Sequence, residues 1–256
     1  MIIYTVRAFV MLSLLGLVGC VTTSSDSRSN VNKEKALEAH ITLGMTYLQK
    51  NNRDGALSAF SRANKLDSKS AEAHQGLALV HQLNGERQLA EASFKKALRG
   101  RADFSMSGVK VSYGKFLLED GRYDEALPFF QAASEDITFP SRPNALYFIG
   151  MSALQTGDKV RAAGAFEHAL NLNDSLAAAS IELAEIRFVD GDYAGSKKYL
   201  DQFTSNAKPT ARSLLLSVKI ERVFGNKDNE ASNALALKNM YPYSKEYLEY
   251  KKLLVK

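Results

Sequence analysis

Residues 37–70 read LEAHITLGMTYLQKNNRDGALSAFSRANKLDSKS, and the spacing of small and aromatic side chains in this stretch decides the fold. Leu43, Gly44 and Tyr47 stand where the first of two short antiparallel helices needs contact residues. Asn51 stands at the tight turn, and Ala56, Phe60 and Ala63 fall on the second helix. The turn residue recurs as Gly85, Gly121, Gly157, Gly191 and Gly225, at steps of 34, 36, 36, 34 and 34 residues. A link between two helices often requires positive φ, which glycine adopts freely and asparagine tolerates better than most residues. Five residues past each turn comes a small side chain, Ala56, Ala90, Ala126, Ala162 and Ser196, and four further on a large one, Phe60, Phe94, Phe130, Phe166 and Leu200. Three more bring Ala63, Ala97, Ala133 and Ala169 onto the same face, the i, i+4, i+7 spacing of a buried helical stripe. The pattern then loosens, with Phe203 in the fifth copy and Glu230, Ala234 and Leu237 in the sixth.

These residues resemble the tetratricopeptide repeat, whose period and Leu-Gly, Tyr, Ala and Phe pattern they reproduce over residues 37 to 240. The family's terminal proline is mostly missing: Ser68, Ala102, Thr138, Asp174 and Lys208 occupy its place, and only Pro242 agrees. The resemblance implies an all-α chain, a right-handed superhelical solenoid of about six helix-turn-helix repeats over residues 37–243. Residues 244–256 read as a C-terminal capping helix, with Tyr247, Leu248, Leu253 and Leu254 among lysines, to cover the last repeat. Two extra residues, near Arg101 to Phe104 and near Phe139 to Pro143, fall between repeats and predict edge loops, the second kinked by Pro140 and Pro143.

Residues 1–19 predict an export signal: the apolar run from Ala8 to Val18 is too short to span a bilayer and follows Arg7. Its ending, Leu17-Val18-Gly19-Cys20, resembles the bacterial lipoprotein box, which implies a covalent lipid on Cys20 as residue one of the mature chain. Cys20 is the only cysteine, so no intramolecular disulfide can form and folding rests on packing. Val21 in place of an aspartate implies, by the same resemblance, the periplasmic face of the outer membrane. Residues 20–36 are polar and predict a flexible tether with an end-to-end distance of roughly 20 Å.

Chemistry is absent from the pattern. His40, His74, His81 and His168 are scattered, and His74 and His81 stand two helical turns apart, not one, so no metal set is expected. No phosphate loop or nucleophile elbow occurs. The net charge is +5, or +4 without the signal, since 32 basic residues then face 28 acidic ones. These charges are dispersed through the repeats, which speaks against nucleic acid. No enzyme, no cofactor beyond the lipid and no small-molecule substrate is expected.

In this repeat family the first helix of each unit lines the concave face through positions 2, 5, 9 and 12. Copy one places Glu38, Ile41, Met45 and Leu48 there, and copy two Glu72, Gln75, Leu79 and Gln82. Copy three places Gly108, Val111, Lys115 and Leu118, and copy four Asn144, Tyr147, Met151 and Leu154. Copies one and four each carry three large apolar residues. Copy one is preferred because no earlier repeat shields it, giving an expected groove of Glu38, Ile41, Met45, Leu48, Gln75 and Leu79, with Leu43, Gly44 and Tyr47 facing inward. Such a stripe suits an amphipathic segment of a partner. Lipoprotein box, tether and repeats together resemble the PilF/PilW family, the pilotins of type IV pilus secretins. That resemblance implies binding of the secretin through a short amphipathic segment, and help for its outer-membrane localisation and multimerisation. The alternative is a repeat scaffold lipoprotein in another envelope assembly, for outer-membrane proteins or peptidoglycan.

Overall fold

The computed structural model describes residues 25–103 and 106–254. Among these residues there are thirteen helices and no strand. The chain divides into two compact units, one ending at Ser68 and one starting at Lys69.

Unit one holds α1 (Ser25–Gln49) and α2 (Arg53–Leu66). Asn51 joins them at φ 55°, and the Asn52 side chain caps α2 by accepting from the Gly55 amide at 2.9 Å. The helices meet where Gly44 faces Phe60, and a Cβ on Gly44 would lie 2.6 Å from that ring. The tether expected over residues 20–36 is helical from Ser25 onward. Residues 20–36 contain neither glycine nor proline, and Lys33, Glu34 and Lys35 are good helix formers. The helix nucleated at the first repeat therefore propagates backward without a break.

Unit two holds five helix pairs: α3 (Ala71–Leu83) with α4 (Arg87–Arg99), α5 (Met106–Glu119) with α6 (Tyr123–Ser134), α7 (Arg142–Gln155) with α8 (Lys159–Leu172), α9 (Ala177–Val189) with α10 (Tyr193–Asn206), and α11 (Ala211–Phe224) with α12 (Lys227–Met240). The five glycines that mark the period all sit at the turns with φ between 72° and 83°. Ala90, Phe94, Ala97, Ala126, Phe130, Ala133, Ala162, Phe166 and Ala169 have no exposed surface. The stripe read from spacing is therefore the core. Full burial of each phenylalanine contributes roughly 1.5–3 kcal/mol.

The two insertions take different forms. Around the first, Arg101 donates its amide to the Lys69 carbonyl at 2.7 Å, and Ala71 donates to the Arg101 carbonyl at 2.9 Å, a single parallel bridge. Gly100 permits this approach, since a Cβ there would lie 2.7 Å from the Lys69 oxygen. Around the second, Ser107 donates to Asp136 at 2.7 Å and Arg142 Nε donates to the Ser134 carbonyl at 2.9 Å, so the segment between α6 and α7 is tied down at both ends.

The expected end helix is α13 (Lys245–Leu253), capped by Ser244. Tyr247, Tyr250 and Leu253 pack on Leu214, Leu215 and Leu237, while Leu248 and Leu254 are exposed at 49% and 59%. Tyr250 thus takes the inward place expected of Leu248. Tyr247, Tyr250 and Leu253 follow the i, i+3, i+6 line, and Leu248 lies off it.

Candidate docking face

Cys20 lies outside the described residues. In unit one the expected groove is only partly open. Leu37, Ile41, Gly44 and Leu48 lie at i, i+4, i+7 and i+11, one line along α1, and Gly44 on that line touches Phe60. Ile41 is accordingly buried at 7% and Leu48 is half-buried. Leu43, expected inward, is 41% exposed. This corrects the expectation: the contact made by Gly44 decides which side of α1 is interior, and Ile41 shares that side. Glu38 and Met45 remain exposed.

In unit two the first helices carry contacts on one common face that join α3 to α5, α5 to α7, α9 to α11 and α11 to α13. Gln75 donates to Ser112 Oγ at 2.7 Å, and Gln82 donates to Glu119 at 2.6 Å. Lys115 Nζ lies 5.5 Å from the centre of the Phe148 ring. Arg212 donates to Glu182 through its two terminal guanidinium nitrogens, at 2.7 and 2.8 Å, and also to Glu185. Lys219 pairs with Glu249 at 2.6 Å. Positions 2, 5, 9 and 12 thus form a continuous face, and Gln75 of the expected groove is engaged in holding copy two to copy three.

The chemistry of that face changes along its length. Copies three and four contribute Val111, Leu118, Tyr147, Phe148, Met151 and Leu154, all half-buried and packed against the main core. Leu79 of copy two joins them. Copies five and six place Ile181 and Leu215 in the core and surround Phe188 with charge. There a recess of about 290 Å³ is lined by Phe188, Arg212, Leu215, Lys219, Glu246 and Glu249. Glu182 first, then Glu185, raises the Arg212 pKa and keeps it charged.

The strongest titration shifts elsewhere belong to ion pairs between repeats. Arg122, just past the turn glycine Gly121, donates to Glu91 and Glu125. Arg122 and then Lys95 hold the Glu91 carboxyl down at about 2. Burial, and then Glu91, pushes the Tyr113 hydroxyl up to about 12. Their partners are other protein groups, so they do structural work. His81 meets Glu86 at 2.5 Å, and no group of three or more metal-ligating side chains occurs among the described residues. No described helix is long and apolar enough to cross a membrane.

A tetratricopeptide-repeat family model matches residues 41–104 and 114–180. The type IV pilus assembly protein PilF of Pseudomonas aeruginosa is 36% identical over 249 residues, covering 96% of this chain and 98% of that protein. A solved structure of Pseudomonas aeruginosa pilF superposes with a TM-score of 0.82 at 35% identity, covering 86% of this chain and 99% of that one. The crystal structure of PilW, a widely conserved type IV pilus biogenesis factor, gives a TM-score of 0.71 at 24% identity, over 84% of this chain and 97% of that one, a likeness of fold.

Proposed function

The chain belongs to the PilF family of tetratricopeptide-repeat proteins of type IV pilus biogenesis, and from that premise we propose that it is the pilotin of the pilus secretin. The family is one of assembly proteins and not of enzymes. In this reading a lipid on Cys20 carries the protein to the periplasmic face of the outer membrane. The repeats take up a short amphipathic segment of the secretin, and the ring forms on that membrane. The sequence Leu17-Val18-Gly19-Cys20 supports the anchor. Several acyl chains at about 0.8 kcal/mol per buried methylene give effectively permanent attachment.

The observation that carries the docking role is the apolar stretch Val111, Leu118, Tyr147, Met151 and Leu154, half-buried on one face of the first helices among the described residues. Copy one leaves open Leu43, Met45 and part of Leu48, without an aromatic side chain among them. Half-covered apolar surface such as the central stretch offers serves a partner helix well.

The test is the level of heat-stable secretin multimers in cells lacking the protein and complemented with variants. Met151→Glu is expected to abolish multimers and Met45→Glu to leave them, with circular dichroism and Met151→Ser separating lost contact from lost fold. The reverse pattern would return the site to the groove of copy one, and normal multimers in the deletion strain would end the pilotin reading. For the anchor, a palmitate analogue should label the wild type and not Cys20→Ala.

A further inference from the structure

Resting on that docking site, we propose that Lys115 selects the occupant, so that the apolar stretch of copies three and four takes a segment carrying a carboxylate beside its apolar anchors. Other cations on the same face are paired. Arg212 is held by Glu182 and Glu185, Lys219 by Glu249, and Arg222 by Glu230 at 2.6 Å. Lys115 is exposed and, among the described residues, has no carboxylate partner. Its ammonium instead rests against the Phe148 ring at 5.5 Å.

The carboxylates nearest this stretch are engaged elsewhere: Glu182, whose charge reaches Tyr147, is held by Arg212, and Glu119, one turn beyond Lys115, is turned to Gln82. At the groove-lining positions of copies three and four the neighbours are Gly108, Val111, Leu118, Asn144, Tyr147, Met151 and Leu154. An arriving apolar segment covers this stretch and strips water from Lys115. A cation desolvated without a partner is costly, and the ring contact offsets only part of that cost. A carboxylate on the segment, placed to meet Nζ, removes the penalty. A neutral segment must leave the ammonium wet, and a basic one is repelled. The face therefore combines a general apolar attraction with one charge that discriminates.

Two synthetic amphipathic helices with the same leucine stripe, one flanked by glutamates and one by lysines, test this on the purified full chain by fluorescence anisotropy. The acidic helix should bind about tenfold more tightly than the basic one. Lys115→Met should reduce that preference to about twofold, Lys115→Glu should invert it, and Lys115→Arg should keep it. The acidic helix should also lose affinity with added salt in the wild type and much less so in Lys115→Met. No preference in the wild type, or a preference unchanged by Lys115→Glu, overturns the proposal. Detergent-solubilised secretin forms the second arm. If the acidic helix binds through Lys115 but secretin does not bind at all, the pilotin reading fails while the charge selection stands. If secretin binds equally well to wild type and Lys115→Glu, the charge selection fails alone.

Discussion

Lys115 and Arg212 occupy the same face of unit two, three repeats apart, and do opposite things. Arg212 is clamped by two glutamates, one of them 9% exposed, and stitches copy six to copy five. Lys115 lies on an aromatic ring amid half-buried apolar side chains and stitches nothing by charge. Paired helices bury their inner faces in both places, with Gly114 and Phe130 in copy three and Val218 and Ala234 in copy six, and neither cation belongs to that inner face, so the difference between them does not come from the framework. It lies in positions that the framework leaves unconstrained. Where repeats share a core, chemistry can be read from the exposed positions alone, and on that reading the central stretch is the part we propose for a partner.

The sharpest way to break this comparison is to show that the framework is not shared. Phe130→Ala empties a site that has no exposed surface and that Gly114 approaches closely, and should cost ~3–5 kcal/mol in urea unfolding. Unchanged stability would mean that the repeat register is wrong. Next in size, Arg212→Met leaves Glu182 buried without its partner. After allowance for the 37% exposure of the Arg212 side chain, the expected loss is about 1–2 kcal/mol. Glu182→Gln in the same background should recover part of it, whereas Lys115→Met should stay within about 0.5 kcal/mol of wild type. Equal losses from Arg212→Met and Lys115→Met would erase the contrast.

A third measurement concerns the ion pairs of the central repeats, which cluster at the turn behind Gly121. The Glu91 carboxyl is lowered from 4.5 to about 2 by Arg122 and Lys95. A lowered carboxyl pKa stabilises the fold above the unfolded value, and that contribution is lost as pH falls from about 4.5 through about 2. Acid titration of stability should therefore be flatter over that window in Glu91→Gln than in wild type. The smallest effect is expected at Lys219–Glu249, where the carboxylate is 51% exposed: Glu249→Gln should change stability by less than about 0.5 kcal/mol.

Much of the framework was legible from the chain. Among the described residues, positive φ occurs at Asn51 and the five period-marking glycines, and each stands at a turn between paired helices. Turn geometry is local, so a residue type that tolerates it announces it. The interior side of α1 was harder to read, because Ile41 and Leu43 are both apolar and both fit a helical stripe. The deciding signal was available in Leu37, Ile41, Gly44 and Leu48, four residues on one line with the glycine among them. The start of α1 was missed because residues 25–36 carry no apolar period, and a helix that extends from a packed neighbour needs none. The Arg212 clamp could not have been found, since Glu182 and Glu185 lie 30 and 27 residues away and nothing in their types distinguishes them from solvated charges.

The meeting of Gly44 with Phe60 has a consequence for how such a gene can change. Gly114 and Gly150 meet Phe130 and Phe166 in the same way, with a Cβ at either glycine falling 2.7 and 2.5 Å from the ring. In copy five the corresponding residues are Ala184 and Leu200, and in copy six Val218 and Ala234, all buried. Copy two keeps Phe94 with Ala78, but where the first residue grows to Val218 the second shrinks to Ala234, so the pair is constrained as a single inherited unit of volume. A crossover that exchanges whole helix pairs keeps each lock with its key. One that falls inside a pair, at a turn glycine, would join the first helix of copy six to the second helix of copy four and set Val218 against Phe166. Recombination within the array is thus expected to be tolerated between repeats and rejected within them.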